Sequence, residues 1–159
     1  MKRWVVLTGV MAFVGGVLTG GYLFAKSQPR AFLALGTCGS SCYRGKDLAG
    51  LLASAGITQA LGLVPGIVKE TDKCLAITHP VPAGRYHFVL FPKQDMKDIG
   101  DVSLDDAPYV MECIGVLRSL IHEYGLRAYQ VYTNGPGLQK VTYLHFQLVS
   151  KELLATVTA

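Results

Sequence analysis

Asn134-Gly-Pro-Gly-Leu-Gln139-Lys-Val-Thr-Tyr143-Leu-His145-Phe-Gln147-Leu-Val149 reads as a glycine-rich approach followed by a short strand over 141–149. Polar side chains alternate with apolar ones, and a period of two sends Tyr143, His145 and Gln147 to one face. Gly135 and Gly137 in the approach let backbone amides come close to an anion. A histidine presented beside such a loop is a candidate nucleophile toward phosphorus.

This spacing resembles the histidine-triad (HIT) superfamily of nucleotide hydrolases and transferases. That family carries three alternating histidines on its last core strand, after a loop with Asn and a Gln-x-Val element. Asn134, Gln139 and Val141 match the approach, and His145 falls at the central, nucleophilic position. Tyr143 stands at the first histidine position and Gln147 at the third. Gln at the third position is similar to the galactose-1-phosphate uridylyltransferase branch, whose central histidine becomes nucleotidylated. Upstream, Cys74-Leu-Ala-Ile-Thr-His79-Pro-Val-Pro-Ala-Gly-Arg-Tyr-His87-Phe-Val-Leu-Phe-Pro92-Lys93 resembles the strand-turn-strand of the same family. His87 fits its place there, and His79 falls where the family usually has an Asp on the ribose hydroxyls.

The match covers residues 70–150 and implies an antiparallel α+β fold. It implies catalysis by His145 with Gln147, and nucleotide or phosphate binding by Asn134, Gly137, Gln139, His79 and His87. His145 would attack an α-phosphate, while Gln147 and backbone amides near Gly137 and Leu138 stabilise the transferring oxygens. No metal or cofactor is expected in the site. Lys140 takes a place where family members often carry Ser or Thr, and is expected to be solvated on the other strand face.

The rest of the chain frames this unit. Trp4 to Phe24 is an uncharged run of 21 residues after Lys2 and Arg3. A helix of that size spans about 30 Å, the thickness of a bilayer core. A signal peptide cut near Ala25-Lys-Ser27 competes, but signal h-regions stop at about 15 residues, so an uncleaved single-pass anchor is expected. Ala12, Gly16 and Gly20 share one helix face, which lets another transmembrane helix approach, so other membrane protein subunits are the expected partners. Lys2 and Arg3 favour a cytoplasmic N-terminus and a periplasmic or extracytoplasmic domain, although Lys26, Arg30 and Arg44 come after the span. Lys26 and Arg30 are expected at lipid headgroup level.

Of four cysteines, Cys38 and Cys42 lie in a glycine-serine loop compatible with a disulfide in an oxidising compartment. Their spacing also suits zinc, but no second ligand pair comes after it. Cys74 and Cys113 fall in an apolar strand and an apolar helix and read as buried free thiols. The net charge of +4 comes without a basic run interleaved with aromatics, which argues against a nucleic-acid partner.

The chain divides into a transmembrane anchor over 1–26, a linker and helical extension with the cysteine loop over 27–69, and a HIT-like domain over 70–152. Ser27-Gln-Pro29 reads as a linker, Asp47 to Ala55 as a helix stopping at Gly56, and 57–69 as a strand or packed loop. Strands are expected at 74–79, 86–91 and 128–133. Residues 104–124 form an amphipathic helix with apolar positions 110, 114, 117, 121 and 124, capped by Asp105 or Asp106 and stopped by Gly125. His122 reads as surface on that helix. Asp95, Asp98, Asp101, Asp105 and Asp106 match no calcium loop and read as a solvated cluster.

Two functions fit. With His79, Lys140 and Tyr143 departing from the family pattern, the first is a degenerate HIT-like accessory subunit of a membrane complex. The alternative is a membrane-anchored nucleotidyl hydrolase or transferase acting through His145.

Overall fold

The structure, a computed structural model, describes residues 2–30 and 44–151. Helices span Lys2–Phe24 (α1), Gly45–Gln59 (α2) and Ala107–Glu123 (α3). Strands span Ile67–Glu70 (β1), Cys74–Thr78 (β2), Tyr86–Pro92 (β3), Tyr129–Tyr132 (β4) and Phe146–Ser150 (β5). They form one antiparallel sheet of five strands in the order β1-β2-β3-β5-β4. The architecture is α+β, as the sequence predicts.

The register sorts the side chains into two faces. Phe88 pairs with Leu148 and Leu90 with Phe146, so these four share one face with Cys74 and Ala76 and bury against α3. Val89 pairs with Gln147, and Ile77 with Val89, which places these residues on the opposite face under α2. A sheet covered on both sides explains why the β2 and β3 sequences read as continuous apolar runs rather than a clean alternation.

The buried stripe of α3 is Cys113, Val116, Leu117 and Leu120, rotated from the predicted one, and Ile114 remains 41% exposed. That stripe includes a covalent tie. Cys74 and Cys113 are not free thiols but a disulfide joining β2 to α3, with Cα atoms 5.2 Å apart and both residues fully buried. Cys38 and Cys42 lie outside the described residues.

Two helix ends depart from expectation. Helix α2 runs through Gly56 to Gln59, because Ile57 is anchored in a cluster with Leu75 and Tyr143. At the start of α3, a short 3-10 turn over Leu104–Asp106 comes first, and the Asp106 carboxylate accepts from Ser103 N–H at 2.9 Å and Ser103 Oγ–H at 2.6 Å. Gly125 does end α3, at a left-handed φ of +60° that suits glycine. The loosely assigned 57–69 stretch runs into β1 at Ile67.

Helix α1 is exposed along its length, with Trp4 77% and Phe13 72% accessible, and it is long and apolar enough to cross a membrane. The expected linker after it is instead docked on the domain. Ser27 Oγ donates to Ser54 Oγ at 2.9 Å, Gln28 N–H donates to Asp95 Oδ2, and Gln28 Nε2 donates to Asp95 O at 2.7 Å. Arg30 is not at a headgroup position either: its guanidinium Nη2 meets Asp95 Oδ1 at 2.6 Å, with both side chains at most 1% exposed. Asp95 therefore leaves the solvated cluster, since a buried guanidinium demands a counter-charge.

Candidate functional site

Gln147 sits at the centre of a polar chain whose members fix one another. Ala83 N–H donates to His87 Nδ1 at 3.0 Å, so the proton of that neutral ring is on Nε2. His87 Nε2–H then donates to Gln147 Oε1 at 3.0 Å, and Tyr132 O–H donates to the same oxygen at 2.9 Å. Two donors on Oε1 orient the amide, turning its NH2 toward His145 Nε2, 3.5 Å away. On the other side of that ring, Nδ1 lies 2.7 Å from Tyr143 O, a group that can only accept, so Nδ1 carries the proton. His145 is thus held as the tautomer with its Nε2 lone pair free.

The environment favours the neutral ring. Burial holds the His145 pKa below its ordinary value of 6.5, and the positive charge of nearby His79 lowers it further, against a raising contribution from the Tyr143 carbonyl. Burial likewise lowers His87, against its bond to Gln147 and reinforced by His79, whose ring stacks on it with centroids 4.1 Å apart. Both folded-state values lie below the unfolded value. Their contribution to stability is therefore complete above about pH 6.5 and lost as the pH falls from there toward the depressed values. The urea midpoint is expected to be lower at about pH 5 than at about pH 7.5, and an unchanged midpoint would mean solvated rings.

His145 Nε2 opens onto a hollow of about 490 Å³. Ile77, Val89 and Phe91 form its floor, Ala49 and Ala53 of α2 one wall, and Asn134, Leu138 and Lys140 the rim. His79 and Tyr132 also reach it, and none of its lining residues is acidic. Phe91 packs beside the His145 ring, with centroids 5.7 Å apart.

The predicted residues divide accordingly. His145, Gln147, Asn134 and His79 converge on the hollow. His87 lies beneath it, 4% exposed, and touches Gln147 instead. Gln139 is buried and turned away, its Nε2 donating to Lys97 O at 2.9 Å. Gly137 is at an exposed turn outside the lining, and the Leu138 N–H is already given to Gly135 O at 3.0 Å. Lys140 is exposed but on the rim rather than on the far face.

Tyr143 shares the face of His145 yet does not reach the hollow. Its ring is fully buried beside Leu75 and Ile57. Its hydroxyl donates to Pro92 O at 2.6 Å and Gln94 O at 3.2 Å. The predicted strand shortens here because 139–145 bonds to helix α2 and to another loop: Thr142 N–H to Lys46 O at 3.0 Å and Leu144 N–H to Met96 O at 2.7 Å. Helix α2 comes so close that a Cβ on Gly50 would lie 2.2 Å from Thr142 O. Sequence reasoning missed Tyr132, Phe91, Ala49 and Ala53. Only Tyr132 left a signal, as a polar-tipped residue on a strand that pairs with the Gln147 strand.

A five-stranded antiparallel sheet with one helix on its back and an alternating histidine-glutamine edge on its front is the HIT fold. A HIT family hydrolase from Clostridium thermocellum superposes with a TM-score of 0.56 at 18% identity, over 65% of this chain and 94% of that one. One from Legionella pneumophila gives 0.56 at 24%, over 65% and 96%. A histidine triad protein from Clostridium difficile gives 0.55 at 23%, over 71% and 96%. No family model and no curated protein matches the sequence. At these identities the likeness establishes the fold.

Proposed function

We propose that this domain catalyses hydrolysis or transfer at a phosphorus centre of a nucleotide-like substrate, with His145 Nε2 as nucleophile and α1 as a membrane tether. The observation that carries this reading is the chain from His87 through Gln147 to His145 and the Tyr143 carbonyl, which holds a neutral nucleophile in a hollow without acidic lining residues. The hollow is of a size that accepts a small ligand. Its apolar floor suits a planar base, while Lys140 at the rim suits phosphate oxygens.

In the reaction, Nε2 bonds to phosphorus as the bond to the leaving group breaks, and the electron pair departs with that group. The imidazolium so formed keeps its proton on Nδ1, which donates it to the Tyr143 carbonyl. At 3.5 Å the Gln147 N–H is only loosely held by Nε2, so it is available to a phosphoryl oxygen. Water or a second hydroxyl then attacks phosphorus, the P–Nε2 bond breaks with its electron pair returning to Nε2, and the proton of the attacking group leaves to solvent or to the departed group.

Tyr143 no longer argues against catalysis, because its contribution to His145 is a main-chain carbonyl that any residue supplies. The accessory-subunit reading rests on the Ala12, Gly16 and Gly20 face of α1, whose two glycines have open space around them. It is compatible with an active domain. The buried Cys74–Cys113 disulfide supports an oxidising, extracytoplasmic location.

The test is covalent trapping. Incubated with adenosine phosphoramidate or a dinucleoside polyphosphate and quenched in base, the full chain is expected to carry an acid-labile nucleotidyl adduct on His145, seen by peptide mass spectrometry. Neither adduct nor product with any of these substrates would overturn the proposal.

A further inference from the structure

A second cleft, of about 360 Å³, lies behind the loop that leads to His145. Pro29, Arg30, Arg44, Lys46 and Lys97 line it, with Asp47 and Asp98. Pro136, Gln139 and Thr142 close it from the loop side, so one loop separates the two cavities.

Its charges do not cancel locally. Asp47 Oδ2 sits 2.8 Å from Arg44 Nε and its Oδ1 accepts from Thr142 Oγ1, while Asp98 Oδ1 accepts from Gly100 N–H. Among the described residues, neither the Lys46 nor the Lys97 ammonium pairs with a carboxylate, and Lys46 Nζ donates only to Pro136 O, at 2.6 Å. Arg30 is 1% exposed and gives only Nη2, to Asp95 and Gly50 O, leaving its buried Nε and Nη1 without partners. Buried donors left without acceptors cost free energy that a bound acceptor would recover. The 15-residue helix α2 begins here with Arg44 at its N-cap and no side-chain cap, so its first-turn N–H groups and dipole also face an anion.

We propose that this cleft binds a phosphate group, held by Lys46, Lys97, Arg44 and the unpaired nitrogens of Arg30. Two sources share that chemistry. Free inorganic phosphate can reach it, and so can a lipid headgroup, since Pro29 in its wall lies close behind the end of α1 at Phe24. Bound phosphate would tie α2 and the 92–97 loop to the bend before His145. This site is independent of the chemistry proposed for His145.

The experiment uses the full chain in zwitterionic detergent and tracks thermal unfolding with inorganic phosphate against chloride at equal ionic strength. Phosphate is expected to raise the midpoint, with affinity weakened about tenfold in Lys46→Gln and in Lys97→Gln. Their unchanged midpoints in chloride would show an intact fold. His145→Ala is expected to keep the response, which separates this cleft from the hollow. In nanodiscs, loss of the phosphate response together with a Lys46-dependent midpoint rise on adding phosphatidylglycerol assigns a lipid source. Persistence of the response there assigns free phosphate. No response to either probe, or a response in both lysine variants as strong as that of the unsubstituted chain, overturns the site.

Discussion

His145→Ala is expected to lower turnover by about 10³-fold or more, because the other imidazole in the hollow, His79, already gives its Nδ1 lone pair to the Val81 N–H. The informative contrast is Tyr143→Phe. Its hydroxyl is spent on Pro92 O and Gln94 O, and only its carbonyl touches His145. Loss of that buried hydroxyl is expected to cost about 1–3 kcal/mol of stability while kcat/KM stays within a few-fold. Steady-state kinetics and urea denaturation on the same preparations separate the two effects. Should Tyr143→Phe abolish turnover in a folded protein, the hydroxyl and not the carbonyl is the functional group, and the tautomer assigned to His145 is wrong.

Asp95→Ala is expected to be the most damaging single change to the fold, by about 3–5 kcal/mol, out of a total of about 5–15 kcal/mol typical of domains. The carboxylate compensates a buried guanidinium, and it also fastens Gln28 N–H. Removing it strands the Arg30 charge and frees the segment joining α1 to the domain. The paired change Arg30→Met with Asp95→Leu removes both charges and is expected to cost far less than the single variant. Chemical denaturation of the three proteins gives the comparison. A single-variant cost below about 1 kcal/mol would mean that Arg30 reaches solvent. Limited proteolysis after Lys26 is expected to quicken in Asp95→Ala alone.

Much of this molecule was legible from local pattern. The alternation from Tyr143 to Gln147 placed three side chains on one face, and the fold keeps all three on the side covered by α2. The strand pair around Pro80 to Gly84, the helix stopped by Gly125 and the apolar N-terminal run were equally readable, because each rests on residues adjacent in the chain. What alternation cannot report is depth. Tyr143 and His145 face the same way, yet α2 covers one and leaves the other open, through contacts of Ile57 that have no counterpart in the strand sequence.

The same limit explains the remaining misreadings. Arg30 and Asp95 are 65 residues apart and each looks solvated alone; only the fold brings them together and excludes water. Cys74 and Cys113 are ordinary buried thiols until β2 and α3 meet with their Cα atoms at bonding distance. Gln139 matches a binding motif, but its amide was claimed by a carbonyl at position 97. Sequence by itself determined the periodic elements, the apolar helix and the strand that follows His145, since these depend on backbone geometry and on neighbours a few residues away. Tertiary structure alone decided which of those polar groups meet solvent and which are already paired, because burial and hydrogen-bond partners come from segments distant in the chain.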